Sequence, residues 1–553
     1  MRKWLKKKKE PMEVENIPSD LATPLHKDIK QTLDHVKALL GDSSDLVVRE
    51  FKIGSTQPVK AALLYVDGMA SKMFVQNFIT ETLMIDLRLV DLPDEDSAGS
   101  SEKESSNPQD GLQKKKKSLI KPKTKPQEKD LFKVMKEQTL ANSEVEECKD
   151  YKGLFSFILA GDSVILLDGY ETAFAIGSKG YESRAVEESS STTVIRGPRE
   201  GFTETLRINT SLIRRRIKDP NLWIENKVIG KKTHTDVSIC YINGIVNEKI
   251  VKEVKKRINA IDTDAILESG YIEEYIQDSP YSPFPTVYNT ERPDTICAGL
   301  LEGKVAIIVD GTPFVLLVPT LIIDFFQSSE DYYQRVDIGT MLRLLRYLGF
   351  FLALLTPSMY IALTTFHQEM IPTQLLISLA AQREGVPFPA FVEALIMEFV
   401  FDILREAGTR MPRAIGSAIS IVGALVVGQA AVQAGFVSAA MVIVVSLTAI
   451  SSFLIPSPDL SSSIRILRYP FMTLAASFGL LGIIIGVIFM VLHLASLRSF
   501  GIPYLSPMGP MIIQDQKDAL IRMPLWRIST RPRLMNQKNI VRENTDKPSP
   551  NRK

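Results

Sequence analysis

AIGSAISIVGALVVGQAAVQAGFVSAAMVIVVSLTAISSFLIPSP, residues 414–458, runs for 45 positions without aspartate, glutamate, lysine or arginine. A helix needs about 20 predominantly apolar residues to cross the hydrocarbon of a bilayer, while runs of about 10–14 belong to soluble cores. A second charge-free run, Tyr469 to Leu497, adds 29 positions. Working outward, the 553-residue chain is 24% charged, with 66 basic and 64 acidic side chains, yet its mean hydropathy is +0.04. The charges crowd into the first 340 residues and the two ends. This excludes an ordinary soluble protein and predicts a polytopic membrane protein with a large aqueous portion.

The N-terminus carries Arg2, Lys3 and Lys6 to Lys9, but no apolar core follows before Asp20. A secretory signal is therefore not expected, and the N-terminal portion is expected in the cytoplasm. Cys148, Cys240 and Cys297 lie far apart and form no C-x-x-C, so reduced thiols are expected rather than a zinc site or disulfide framework. The five histidines are equally scattered. No Walker loop, dinucleotide fingerprint, G-x-S-x-G or H-E-x-x-H occurs, so no residue starts an enzyme reading. No catalytic residue, cofactor, metal or nucleic-acid partner is expected.

A repeat organises the aqueous portion. Leu63-Leu64-Tyr65-Val66-Asp67-Gly68-Met69-Ala70 is an apolar run, then a turn pair, then a helical pattern through Phe74, Phe78 and Ile79. Ile239-Cys240-Tyr241-Ile242-Asn243-Gly244-Ile245-Val246 reads the same way, 241 − 65 = 176 residues later, with its helix through Ile250, Val254 and Ile258. Residues 161–169, GDSVILLDG, recur as GKVAIIVDG at 303–311, an offset of 303 − 161 = 142. Asp-Gly between apolar strands signals a hairpin, because both turn positions favour residues tolerant of positive φ. The offsets differ by 176 − 142 = 34, so the first copy needs an insertion of about that length. Residues 94–130, acidic, then Ser-rich, then Lys-rich, supply it, and such a composition buries no core.

The predicted fold class is α+β/α-helical membrane protein. Two tandem similar α/β cytoplasmic subdomains, residues 21–195 and 196–330, are followed by a multi-span α-helical membrane domain over 331–500. A basic disordered N-terminus, 1–20, and a basic cytoplasmic tail, 501–553, flank them. Between the copies, Arg196-Gly197-Pro198-Arg199-Glu200-Gly201-Phe202 leads to a helix ending in Arg214-Arg215-Arg216. This link reads either as a site for phosphate or lipid heads or as a rigid connection whose arginines pair with carboxylates.

Four spans are expected, at 341–365, 414–432, 436–456 and 470–497. Arg335, Arg343 and Arg346 flank the first, and the tail from Arg498 carries 11 basic and 4 acidic residues, so both ends are placed inside. Arg405, Arg410 and Arg413 then fall outside, against the rule. A further crossing through 388–404 would repair that loop but export the tail. Residues 391–406 have helical period, with Glu398, Asp402, Arg405 and Glu406 within about 100° of one another. Such a helix lies in the interface, or it lines an aqueous vestibule in which Glu398 and Asp402 attract cations. In the second span Gly416, Ser420, Ala424 and Gly428 recur every four residues. The stripe reads as close helix packing or as a narrow pore wall with Val427 or Gln433 near a constriction. Gly479, Gly482 and Gly486 read as packing or flexibility, and Pro357 frees a carbonyl that another group must satisfy.

The block Thr356 to Leu363, then Phe366-His367-Gln368-Glu369-Met370-Ile371-Pro372, closely resembles the A subunits of GerA-type spore germinant receptors. So do Arg196 to Phe202, Asp331-Tyr332-Tyr333, Ile415 to Gly435 and Ser457-Pro458. The resemblance covers roughly Leu21 to Pro510. It implies a role in spore germination, in the inner membrane of the spore. It also implies a transporter-like B subunit that binds the nutrient, a lipoprotein C subunit, and a homo-oligomeric ring, pentameric in the family, forming a nutrient-gated ion channel. The alternative is a non-conducting signalling scaffold. A secondary transporter is disfavoured by the lack of an inverted repeat across the spans.

Overall fold

The computed structural model describes residues 19–53, 59–76, 145–180, 194–410, 428–535, 539–543 and 545. The chain divides into two compact units, residues 1–185 with 207–225, and residues 186–206 with 226–553.

In the first unit, helix α1 (Ile29–Leu39) starts where the Asp28 carboxylate accepts from the Lys30 amide. It buries Ile29, Leu33 and Val36, spaced at helical period. Strands β1 (Leu46–Ile53), β2 (Val59–Val66), β3 (Val145–Cys148), β4 (Ser163–Leu167) and β5 (Ala173–Ile176) form one antiparallel sheet in the order β1-β2-β4-β5-β3. Alternation along β2 sends Ala62, Leu64 and Val66 into a core shared with α1 and helix α2 (Tyr151–Ile158), while Leu63 and Tyr65 join Phe174 and Ile176 on the other face. Helix α3 (Leu206–Arg216) belongs here from Arg207 onward. Its buried Arg214 donates to Asp45 from Nε at 2.8 Å and Nη2 at 3.2 Å, and to the Ser43 hydroxyl. Burial works against the Asp45 charge, but the Arg214 guanidinium and the hydrogen bonds hold its carboxyl below the ordinary value. For Arg214, the connection reading of the arginine-bearing link is the one the structure shows.

The second sheet repeats the first. Strands β6 (Leu222–Ile229), β7 (Thr235–Ile242), β8 (Tyr288–Thr290), β9 (Val305–Val309) and β10 (Val315–Val318) take the order β6-β7-β9-β10-β8, strand for strand the same. The starts of β6 and β7 follow those of β1 and β2 by 222 − 46 = 235 − 59 = 176, and β9 and β10 follow β4 and β5 by 305 − 163 = 315 − 173 = 142. The duplication and both sequence offsets therefore hold. The insertion at 94–130 lies outside the described residues. The two Asp-Gly turns do the same job in each copy. Asp168 accepts from the Ile29 amide at the head of α1, and Asp310 accepts from the Leu206 amide at the head of α3. Helices α4 (Glu248–Asn259), α5 (Ser269–Ile276) and α6 (Pro293–Leu301) complete the second copy, α4 burying Ile250, Val254 and Ile258 as its period predicts.

Beyond the sheets come α7 (Val336–Thr365), α8 (Thr373–Arg383), α9 (Ala390–Arg410), α10 (Ala439–Phe453) and α11 (Pro458–Ser496). Two of these, α7 with 30 residues and α11 with 39, are long and apolar enough to cross a membrane. The sequence expects one straight span over 470–497; α11 instead doubles back. Gly479 takes φ 62° and ψ −139°, and a Cβ on Gly486 would lie 2.8 Å from the Phe471 ring. In a continuous helix those residues would stand roughly 22 Å apart. The element is thus a helical hairpin with arms 458–478 and 480–496, about 31 and 25 Å long. Its tip packs on Phe366 and His367 at the end of α7, and both feet return to the second sheet domain, Asp459 to Asn289 and His493 to Ser282.

The described part of the C-terminal region is packed rather than free. Ser499 donates to the Thr286 carbonyl and accepts from the Thr320 amide, Tyr504 is buried, and Asp518 reaches the base of α7.

Candidate functional site: a charged seam inside the helical bundle

Helix α9 is inside out relative to a soluble amphipathic helix. Its exposed large apolar side chains are Leu395, Ile396, Phe399 and Ile403, whereas Glu393 and Glu398 are buried; of its acidic residues, Glu406 near the C-terminal end is exposed. The sequence correctly groups Glu398 and Asp402 on one face, but expects that face in water. It is turned instead against the first arm of α11. Glu398 pairs with Arg468, the Tyr469 hydroxyl donates to Asp402 at 2.6 Å, and Arg465 lies 3.8 Å from Asp402. Glu393 accepts from the Ser438 amide and hydroxyl, which ties the start of α9 to the start of α10. Over residues 393–403 this helix turns large apolar side chains outward and carboxylates toward its neighbours, the reverse of a helix on a soluble protein.

Arg468 joins three helices. Pro357 lacks an amide hydrogen and leaves the carbonyl four residues earlier, that of Ala353, without its helical donor. The Arg468 Nε donates to that carbonyl at 3.0 Å, while the same guanidinium holds Glu398. The seam is not saturated: the Glu398 Oε1 and Glu393 Oε2 atoms are buried with no hydrogen-bond partner among the described residues.

A second charged cluster anchors the foot of α7. Asp331, fully buried, accepts from Arg343 Nε at 3.2 Å and from Arg346 Nη1 at 2.8 Å. Arg343 also donates to Asp518 at 2.9 Å, and the Tyr332 hydroxyl donates to the same carboxylate at 2.7 Å. Two of the three arginines that the sequence reading places in a basic flank, Arg343 and Arg346, are thus spent on internal pairs, while Arg335 is exposed. Nearby, Gly197 holds φ 139° with the Tyr333 ring where a Cβ would stand, so the link between the copies takes no larger residue there.

Of the remaining sequence candidates, Gly416, Ser420, Ala424 and Val427 lie outside the described residues. Gly428 is half-buried, with nothing within 4 Å of where a Cβ would stand among the described residues, and Gln433 is exposed at the end of a short helical turn, Ala431–Gln433. The sequence reading missed the partners Arg465, Arg468 and Tyr469. Their signal was present: two arginines at the head of an otherwise apolar run, three residues apart and so on one helix face, as Glu398 and Asp402 are at four. Among the described residues no group of three or more His, Cys, Asp or Glu could hold a metal ion.

Twin sheet domains followed by apolar helices define a membrane protein whose N-terminal portion is largely non-membranous. The profile described as Bacillus/Clostridium GerA spore germination protein matches residues 34–534. The chain belongs to the GerA family of spore germination proteins, and its kinship is with the A subunits of that family. It is 47% identical over 534 residues to spore germination protein KA of Bacillus subtilis (strain 168), covering 96% of this chain and 91% of that one. To spore germination protein B1 of the same organism it is 38% identical, covering 93% and 99%. The crystal structure of the N-terminal domain of the A subunit of the Bacillus megaterium spore germinant receptor GerK3 shares 34% identity, covering 54% of this chain and 98% of that one, with a TM-score of 0.39. Members of this family are receptor subunits rather than enzymes, and the match runs 24 residues beyond the Pro510 limit of the sequence resemblance (534 − 510).

Proposed function

We propose that this chain is the membrane subunit of a nutrient germinant receptor and assembles into an oligomeric, nutrient-gated channel that releases monovalent cations. The observation that carries the reading is the inverted polarity of α9. A helix that only anchors a scaffold has no reason to bury Glu393 and Glu398 and to turn Asp402 toward the arginines of another helix, and ionisable groups within a bilayer mark ion pathways and switches. In the arrangement described, Glu398 is held by Arg468, so it serves permeant cations only when that pair opens. The stripe Gly416, Ser420, Ala424, Val427, Gly428 and Gln433 is proposed as the pore wall or its packing face. A transporter-like B subunit binds the nutrient, a lipoprotein C subunit completes the complex, and the ring is pentameric, as in the family resemblance. To gate the channel, the partner must contact the open and closed states unequally.

The proposed topology has six crossings: α7 outward, α9 inward, 414–432 outward, α10 inward, and the two arms of α11 outward and back. The hairpin at Gly479 restores the even count that a crossing α9 upsets. Arg405, Arg410 and Arg413 then lie on the same side as the sheet domains and tail, the cytoplasm of the spore, as the charge rule asks. The test is reconstitution with the partner subunits in planar bilayers. Germinant-dependent single-channel current supports conduction; a complex that binds germinant and passes no current leaves the signalling scaffold.

A further inference from the structure

The loop 278–284, Asp-Ser-Pro-Tyr-Ser-Pro-Phe, lies where the sheet domain meets the hairpin feet. The Ser282 hydroxyl and His493 Nε2 are 2.9 Å apart, and the Phe284 and His493 rings are 6.2 Å apart between centroids. Behind the loop, Asn289 donates to Asp459 at 2.9 Å and Asp278 accepts from the Phe500 amide. His493 sits one turn from the end of its arm, and the side chains just before it, Phe489, Val491 and Leu492, are exposed and apolar. An apolar surface meant for hydrocarbon therefore ends beside Ser282. At that edge the next residue, Tyr281, is 99% exposed, so its ring contributes nothing to the fold. On the adjoining α5, Tyr271 and Tyr275, one turn apart, are 45% and 56% exposed, and Leu267 is 64% exposed. Tyrosine, an apolar ring with a polar tip, concentrates at the boundary between hydrocarbon and water. The loop's carboxylate, Asp278, is paired with Arg257 at 2.8 Å, and the exposed Glu274 stands between the two α5 tyrosines in sequence.

We propose that this face of the second sheet domain rests on the membrane, with Tyr281 inserted among the lipid headgroups and Tyr271 and Tyr275 lying along the interface. The occupant is the phospholipid surface, chosen because the patch continues the apolar belt of α11. The domain is thus a peripheral membrane-binding module held in register with the hairpin feet, and partner-driven tilting of it is transmitted to the bundle. The inference rests on α11 being embedded in the bilayer.

Cys148, Cys240 and Cys297 are buried, so an introduced surface cysteine takes a nitroxide label selectively. The full chain carrying Tyr281→Cys is labelled and placed in phosphatidylcholine–phosphatidylglycerol vesicles, with Phe489→Cys and Lys232→Cys as lipid-facing and aqueous controls. The expected result is a ratio of oxygen to nickel-chelate collisions at 281 between the two controls and well above the aqueous one. A value equal to Lys232→Cys overturns the proposal. So does shielding from both probes with dipolar broadening, which places a neighbouring copy on the patch. If the Phe489→Cys label is itself aqueous, the embedding of α11 fails, and that outcome is distinct from failure at 281 alone.

Discussion

Replacing Glu398 by Gln tests the seam where it is most exacting. The carboxylate is 1% exposed and the Arg468 side chain 4%, so neither is relieved by water. Two unit charges about 4 Å apart attract by about 4 kcal/mol at an effective dielectric of 20. The glutamine keeps a hydrogen-bond acceptor in place, returning about 1 kcal/mol. The net loss is about 3 kcal/mol, at the lower edge of the ~3–5 kcal/mol seen when a buried pair loses one member. Arg468→Met removes the other partner and also leaves the Ala353 carbonyl without a donor, so its loss should be at least as large. In the double variant no charge is stranded, and the cost should fall well short of the sum of the singles. The assay is denaturant unfolding of the purified protein in one detergent, followed by a probe in the helical bundle. Strictly additive single losses, each under about 0.5 kcal/mol, would refute the pairing and with it the internal orientation of α9.

Gly479→Ala places a side chain at a φ and ψ reserved for glycine and within 2.7 Å of the His367 ring. A loss of about 1–3 kcal/mol in stability is expected from the backbone alone, and an unchanged melting temperature would deny the hairpin. In the first sheet domain the pKa of Asp45 is held below its unfolded value, so its stabilisation is present above about pH 4 and lost as pH falls through the folded value. Wild type and Asp45→Asn should therefore differ most at neutral pH and converge in acid; a gap independent of pH would refute the pair with Arg214. Glu273 behaves oppositely. Burial, with help from Asp459 and Glu268 and against the hydrogen bond from Asn289, raises it to about 7. Its contribution is complete below about pH 4.5 and is lost as pH rises to 7, so Glu273→Gln should flatten the melting profile over that window. Asp518→Ala leaves Arg343 with Asp331 as its single carboxylate partner and should loosen the foot of α7, detected as faster protease cleavage of the C-terminal region; unchanged cleavage would deny that anchor.

The duplication was legible because the apolar runs of β2, β4, β7 and β9 and the turn pairs that close them are local, and local patterns survive in sequence. The length of the insertion followed from subtraction and its place from composition, and residues 94–130 themselves lie outside the described residues. Pro357 was legible as a vacancy, since proline always frees a carbonyl, but not the identity of its donor, 111 residues away at Arg468 (468 − 357). The polarity of α9 was ambiguous for a physical reason. A stripe of charge reads the same whether it faces water or faces arginines of another helix, and only the bundle decides. Gly479 left no polar mark because its turn sits against Phe366 and His367 within an apolar run, so the run looked like one span. The packed C-terminal region was obscured by its basic composition, in which Asp515 and Asp518 were outvoted by count although Asp518 carries the contact.

The Asp-Gly turns have a further consequence. Asp168 and Asp310 each hold the amide that opens the helix preceding their own sheet, Ile29 and Leu206, so each sheet is closed onto the residue at which its preceding helix begins. A module closed in this way does not depend on the length of any one intervening loop. Foreign sequence spliced between β2 and β3 should therefore still permit folding, because the tie from Asp168 to Ile29 does not pass through that segment.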